Sequence, residues 1–413
     1  MRTLLVGIHR YVGIGIAGFL AITGLTGSIL AFREPLDRWL NPHLLTVPAS
    51  PVRPLPVGAL VDRITAQLPD AEPRFLPLNV APGRSLLVPV TAKPGSPSAL
   101  RYDQAFFDPS TGALLGTRSS ERSLWDRRST IGFLYRLHRE LALPARWGVL
   151  ILAIVSVLWT FDSIVGLLVT LPARAMGPAR KSWWQRWGHA WRIKSPASRI
   201  RRAFDLHRAG GIWLWLALMV FAWSSVMLSA GPVYRVIMER FVAFDDPRSR
   251  IAPANGNRMV FGWTDAIMRG RAVMPVVAHR YGFSIQHEGE ISRDRRRNTY
   301  TYFVRSDLDI RDGGTSTGII MDAATGKILG VNLPSERGAA GNAITQWLYG
   351  IHMAQIFGLP YSIFVSIMGL LVTGLSATGV LVWNNKRRGK RKLRVAALRK
   401  MSRWPWPKLR VSS

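Results

Sequence analysis

The sequence predicts a membrane protein with an all-α core of four transmembrane helices, two exported α+β domains and an internal pseudo-twofold repeat. Three observations carry this. Four long stretches are almost free of charge. The charge itself, a net +31 over 413 residues, is gathered into short segments beside them. A series of motifs also occurs twice, in the same order.

Residues 11–32, 209–234 and 353–385 contain no Asp, Glu, Lys or Arg, and residues 147–171 contain only Asp162. Each stretch exceeds the roughly 20 apolar residues needed to cross a hydrocarbon layer ~30 Å thick. Transmembrane helices are predicted over 8–33, 145–171, 207–231 and 359–385. The first stretch is long for a cleaved signal peptide and lacks an A-x-A-type cleavage site, which favours a retained helix.

The basic residues set the topology. Residues 172–206 hold nine Lys/Arg against one acid, Asp205, and the tail after residue 385 holds twelve against none. Residues 34–146 are mixed, with 14 basic and 10 acidic side chains. Short basic loops stay in the cytoplasm. The 172–206 loop, the 386–413 tail and both termini are therefore expected to be cytoplasmic, and the long loops exported. A basic chain could bind nucleic acid, but here the charge is interleaved with Trp183, Trp184, Trp187, Trp191, Trp404 and Trp406 beside apolar helices. That pattern predicts contact with anionic lipid headgroups and no nucleic-acid partner.

The chain has no cysteine. This excludes disulfides, thiolate iron–sulfur clusters, zinc–thiolate sites and covalently attached c-type haem.

The repeat is read from four matches. Residues 108–116 (DPSTGALLG) match 322–330 (DAATGKILG), and a histidine follows each Asp by 30 residues, at His138 and His352. T-x-x-S-x-x-G-x-L-V occurs at 160–169 and 373–382. H-R-x-x-G occurs at His9 to Gly13 and at His207 to Gly211. Matches in one order indicate a duplication, and same-direction repeats pack about an axis along the membrane normal.

Each half reads as helix, exported domain, helix. The first exported domain, over 50–120, has a helical apolar spacing at 57–69, strands at 84–90 and 101–107, a D-x-x-T-G turn and a last strand. The second, over 255–335, repeats the pattern with a helix from Trp263 and strands around 298–306, 315–322 and 327–333. The glycine of D-x-x-T-G is expected at positive φ.

Four of the eight histidines are members of the repeat. His9 and His207 are expected at the cytoplasmic starts of the first and third helices. His138 and His352 are expected just before the second and fourth, at the exported face. Depth then permits two pairs only, His9 with His207 and His138 with His352, each joining equivalent residues of the two halves. Two imidazoles on either side of a flat macrocycle are the axial ligands of b-type haem, which needs no cysteine. Gly13, Gly15, Gly18, Gly210 and Gly211 leave room beside the helices. Arg10, Arg139 and Arg208 follow their histidines directly and suit haem propionates, whereas Met353 follows His352 and breaks the pattern. The competing reading is an interfacial anchor at each His-Arg. Zinc is disfavoured because no third ligand lies near either pair in sequence. His43, His189, His279 and His287 read as ordinary loop residues. Asp162, the sole acid inside a span, is a functional candidate by position, with a proton or quinol role set against capping or pairing with a cytoplasmic-side arginine. The glycines and threonines at 23–27 and 369–379 favour close helix packing.

The repeated H-R-x-x-G, the D-x-x-T-G domain ends and the G-x-L-V helix ends resemble the PepSY-associated transmembrane family over about residues 5–386. This family includes bacterial iron-regulated inner-membrane proteins and ferric-siderophore reductases. The resemblance implies exported PepSY-like domains and, in the reductase members, two b-type haems. By position the haem ligands would be His9, His207, His138 and His352, with Arg10, Arg208, Arg139, Gly13 and Gly211 beside the cofactor. The expectation is a di-haem oxidoreductase of the bacterial inner membrane that passes electrons to a ferric siderophore. The cytoplasmic segments carry no G-x-G-x-x-G fingerprint, so the donor is expected to be a quinol or a separate protein. The alternative is a non-enzymatic membrane protein that regulates or scaffolds a partner through its exported domains.

Overall fold

The computed structural model describes residues 1–48, 55–96, 100–119, 126–173, 182–254, 261–335 and 338–402. Trp404, Trp406 and the expected domain edges at 50, 120 and 255 lie outside the described residues. In chain order the elements are α1 (Arg2–Leu30), α2 (Arg33–Leu40), α3 (Pro42–Leu45), α4 (Val57–Ala66), β1 (Ala71–Pro73), β2 (Phe75–Pro77), β3 (Leu86–Ala92), β4 (Gln104–Phe107), β5 (Leu114–Arg118), α5 (Thr130–Glu140) and α6 (Ala145–Thr170). They continue with α7 (Trp183–Trp187), α8 (Arg199–Trp213), α9 (Trp215–Ser229), α10 (Gly231–Met238), α11 (Trp263–Tyr281), β6 (Ile285–Asp294), β7 (Thr299–Ser306), β8 (Thr317–Asp322), β9 (Ile328–Asn332), α12 (Ala340–His352) and α13 (Gly358–Ser402).

Among the described residues, three helices are long and apolar enough to cross a membrane: α1, α6 and the Gly358–Gly389 part of α13. The single helix predicted over 207–231 is instead two, α8 and α9, bent by 72° at Leu214. Taken together they would make a fourth span. The adjacent Gly210 and Gly211, weak helix formers, precede the break by one turn.

The chain divides into two compact units. The first draws on Met1–Leu25, Ile154–Trp223 and the described part of the chain from Gly369 onward. Its helices approach closely where side chains are absent. A Cβ on Gly24 would stand 2.6 Å from the Gly369 carbonyl oxygen, and Thr373 Oγ1 donates to the Ala21 carbonyl at 3.3 Å. The small residues noted in sequence thus form a tight α1–α13 seam. Trp215 Nε1 ties α9 to the Ser163 carbonyl of α6 at 3.0 Å. The described part of the basic loop contains α7. Trp183, Trp184, Trp187 and Trp191 cluster edge-on and tilted at centroid distances of 4.7–5.8 Å, and Trp187 Nε1 donates to Thr170 Oγ1 at 3.2 Å.

The second unit, Thr26–Ala153 with Ser224–Met368, contains the sheets. One sheet has the order β1-β3-β4-β5 and the other β2-β6-β7-β8-β9, all antiparallel. The short strand β2 comes from the segment between α1 and α6 but pairs with β6 of the segment between α9 and α13. The two segments also share one core, in which Ile64, Val88 and Phe107 join Ile267, Tyr302 and Ile319. Fully burying a side chain of this size stabilises by about 1.5–3 kcal/mol. α11 lies on the second sheet at Gly270, where a Cβ would be 2.4 Å from the Tyr302 ring. Both D-x-x-T-G turns form as expected. Gly112 and Gly326 have φ of +70° and +68°, and Asp108 and Asp322 accept hydrogen bonds from the turn backbone.

Candidate functional site

Two histidine pairs stand face to face. In the first unit, His9 of α1 and His207 of α8 have ring centres 6.0 Å apart and planes inclined by 44°. In the second, His138 of α5 and His352 of α12 are 6.2 Å apart and inclined by 60°. Metal–imidazole bonds of about 2 Å on both sides, plus roughly 1 Å from ring nitrogen to ring centre, put trans imidazole centres about 6 Å apart. Both pairs have the spacing of axial haem ligands.

Every one of the four rings has its Nδ1 engaged. His9 Nδ1 lies 3.0 Å from Asp162 Oδ1 on α6. His207 Nδ1 lies 3.0 Å from the Leu375 carbonyl oxygen and 3.3 Å from Thr378 Oγ1 on α13. A carbonyl only accepts, so the proton of neutral His207 sits on Nδ1 and Nε2 keeps its lone pair. The carboxylate of Asp162 imposes the same tautomer on His9. In the second unit His138 Nδ1 lies 3.1 Å from Thr26 Oγ1, and His352 Nδ1 lies 2.8 Å from Ser224 Oγ. In His9 and His207 Nε2 is the nitrogen left for a metal, and in all four rings the partner at Nδ1 fixes the ring.

Bare helix backbone makes space for the rings. A Cβ on Gly166 would be 3.2 Å from His9 Cε1, and one on Gly379 would be 3.1 Å from His207 Cε1. These are the glycines of the two T-x-x-S-x-x-G-x-L-V motifs. A Cβ on Gly27 would be 3.0 Å from His138 Cε1.

The His9–His207 pair opens on a cavity of about 580 Å³, a volume usual for small-molecule and cofactor sites. Ile16, Ala17, Leu20, Ile212 and Val372 give it apolar walls, Gly13 and Gly211 line it without side chains, and Arg2, Arg10, Arg186, Arg208 and Lys386 bring positive charge. Arg208 is partly committed elsewhere: its guanidinium bonds Asp205 Oδ1 at 2.9 Å and the Ala190 and Arg192 carbonyls at 3.1 and 3.0 Å. His189, read from sequence as a loop residue, lines this cavity. His43, His279 and His287 lie in α3, α11 and β6.

His138 and His352 precede α6 and α13 as expected, but each closes a short helix of its own. His138 is in the last turn of α5, and His352 is the last residue of α12. Left-handed residues then turn the chain, Leu141 and Ala142 before α6, and Ala354 and Phe357 before α13, whose first residue Gly358 is also left-handed. Arg139 is exposed. Met353 follows His352, while Arg311 lies over the ring of Tyr349 on the same helix at 4.7 Å.

Among the described residues no group of three or more His, Cys, Asp or Glu converges as a metal site. Each pair is a two-nitrogen set, short of the tetrahedral complement zinc takes and equal to the two axial positions of haem.

The sequence profile described as the PepSY-associated TM region matches residues 6–386. The chain belongs to this family. No curated protein matches the chain. The PepSY-associated match encloses all four paired histidines and both sheets.

The residues that hold the rings were not read from the sequence. Thr26 and Ser224 follow His9 and His207 by the same seventeen residues, and Gly166 and Gly379 are equivalent within a motif already seen twice. That common spacing is the signal that could have found them. Asp162 was singled out, but its partner is His9 and not an arginine.

Proposed function

We propose that this PepSY-associated membrane protein is an oxidoreductase of the bacterial inner membrane. It carries two b-type haems and delivers electrons to an acceptor on the exported side, Fe(III) held by a siderophore. One observation carries the reading: two histidine pairs at 6.0 and 6.2 Å, with Nδ1 of all four rings held by hydrogen bonds. Bound haem supplies one-electron redox chemistry at each site.

The chain's own residues then have assigned tasks. His9 with His207, and His138 with His352, offer Nε2 as axial ligands. Asp162, Leu375, Thr26 and Ser224 orient them. Arg10, Arg2 and Lys386 balance propionate charge in the first cavity, while its apolar walls keep water from the metal. The equal offsets of ligands and partners support an internal pseudo-twofold repeat with four spans, α8 and α9 serving as one. Both termini are cytoplasmic and the two sheets face the periplasm, in keeping with the basic 172–206 and 386–413 segments. A quinol or a cytoplasmic protein is the donor. Siderophores bind iron through hard oxygen donors, which hold Fe(II) far less tightly than Fe(III), so one electron per iron releases the metal.

The test is an absorption spectrum of the purified full chain, oxidised and dithionite-reduced, with haem quantified per chain. The expected result is a Soret band, α-bands on reduction and a ratio near two. A colourless protein overturns the proposal and favours a scaffolding role for the exported domains.

A further inference from the structure

The two halves of the protein treat equivalent histidines differently. His207 is held by a backbone carbonyl, and His138 and His352 by hydroxyls. His9 is held by a carboxylate, Asp162. The equivalent position in the other half is Leu375, whose side chain cannot do this and whose carbonyl takes over the task. We infer that Asp162 is a positioning residue that lowers the reduction potential of the haem held by His9 and His207, making it the stronger reductant of the two. The inference rests on the proposed function.

A carboxylate inside an apolar helix is costly to desolvate. Asp162 is only 6% exposed, so its charge is poorly screened and acts strongly on its neighbours. Its Oδ1 draws on the Nδ1 proton of His9, which makes the ring a more basic ligand through Nε2. Its Oδ2 points toward Gly13, where a Cβ would be 3.5 Å away. Reduction adds one electron to ferric iron and removes one positive charge from the metal. A nearby carboxylate favours the more positive ferric state, and axial-ligand basicity acts in the same direction. The cations lining the cavity push the other way, but haem propionates would offset them, whereas Asp162 meets the ligand itself. A lower potential at this site makes electron transfer toward the His138–His352 haem downhill, with one iron oxidised for each iron reduced.

The test is a spectroelectrochemical titration of the full-length protein, His9→Ala and Asp162→Asn. Native protein lacking haem would refute the proposed function before any titration. With haem present, His9→Ala should abolish the lower-potential wave. Asp162→Asn keeps an oxygen acceptor but not its charge. It should raise that wave by at least a factor of about ten in the reduction equilibrium, ~59 mV for one electron, and leave the other wave in place. Asp162→Glu should recover much of the shift, which a merely structural role would not do. Loss of the higher wave in His9→Ala overturns the inference. So does an Asp162→Asn protein with both haems and unmoved potentials.

Discussion

A Cβ on Gly148 would stand 1.9 Å from the carbonyl oxygen of Glu140. The end of α5 is thus seated directly on the first turn of α6, and the obstructing atom is backbone, which cannot swing aside as a side-chain tip can. His138 lies two residues before Glu140 on the same helix end. Gly148→Val should therefore displace the ligand without touching it. If both pairs hold haem as proposed, haem per chain should fall from two to one, with the His9–His207 haem retained. An unchanged ratio would show that His138 is not held by this seat.

Thr26 and Ser224 test the hydroxyl partners. Their hydrogen bonds to His138 and His352 fix the rings, and loss of such an outer partner typically weakens metal binding by about 10–100-fold. Thr26→Val and Ser224→Ala should assemble with two haems but release one faster to apo-myoglobin. Thr26→Ser and Ser224→Thr should behave as the native protein. Equal release from all four variants would remove these hydroxyls from the site.

The distribution of apolar and basic residues made α1, α6 and the apolar part of α13 legible, because covering a hydrocarbon layer demands long uncharged runs. Period-two and period-3.6 patterning likewise gave α4, β3, β4, α11, β7, β8 and β9. The bend at Leu214 was not legible: hydropathy reports a continuous apolar stretch and is blind to backbone direction. β2 was missed for another reason. A three-residue strand has no periodicity of its own, and its partner β6 lies over two hundred residues away. The histidine pairs could be read because matching motifs carry histidines at equal spacings. Their supports could not, since Thr26 and Ser224 are small residues in apolar helices and look like packing.

A partly exposed ion pair between α11 and β6 is pH-dependent. Glu288 receives hydrogen bonds from Arg271 Nε and Nη2, each at 2.7 Å, and from the hydroxyl of Tyr302 at 2.5 Å. Burial would raise the Glu288 pKa, but the hydrogen bonds from Arg271 and Tyr302 outweigh it and hold the carboxyl below its usual range. A depressed folded-state pKa means stability that is fully present above the unfolded value of about 4.3 and lost as pH falls through the folded value. Thermal unfolding of the native protein should therefore fall more steeply between about pH 5 and 3 than that of Glu288→Gln. Parallel curves in near-ultraviolet circular dichroism would show that the pair contributes nothing there.

If the two haems act in series, single ligand substitutions should separate their tasks. His9→Ala removes a ligand from the donor-side haem, and His352→Ala removes one from the acceptor-side haem; a lost axial ligand opens the iron and shifts its potential. A hydrocarbon layer of ~30 Å is a long distance for one electron step, so a single remaining haem cannot serve both faces. His9→Ala protein, reduced chemically, should still be oxidised when ferric siderophore is added, because its exported-side haem is intact. It should fail to take electrons from a quinol or cytoplasmic donor. His352→Ala protein should take electrons at the native rate and pass them on slowly. Stopped-flow spectra of both variants read these rates directly. Should His9→Ala block oxidation of the pre-reduced protein while His352→Ala leaves it intact, electrons run in the opposite direction, and the siderophore cannot be the terminal acceptor on the exported side.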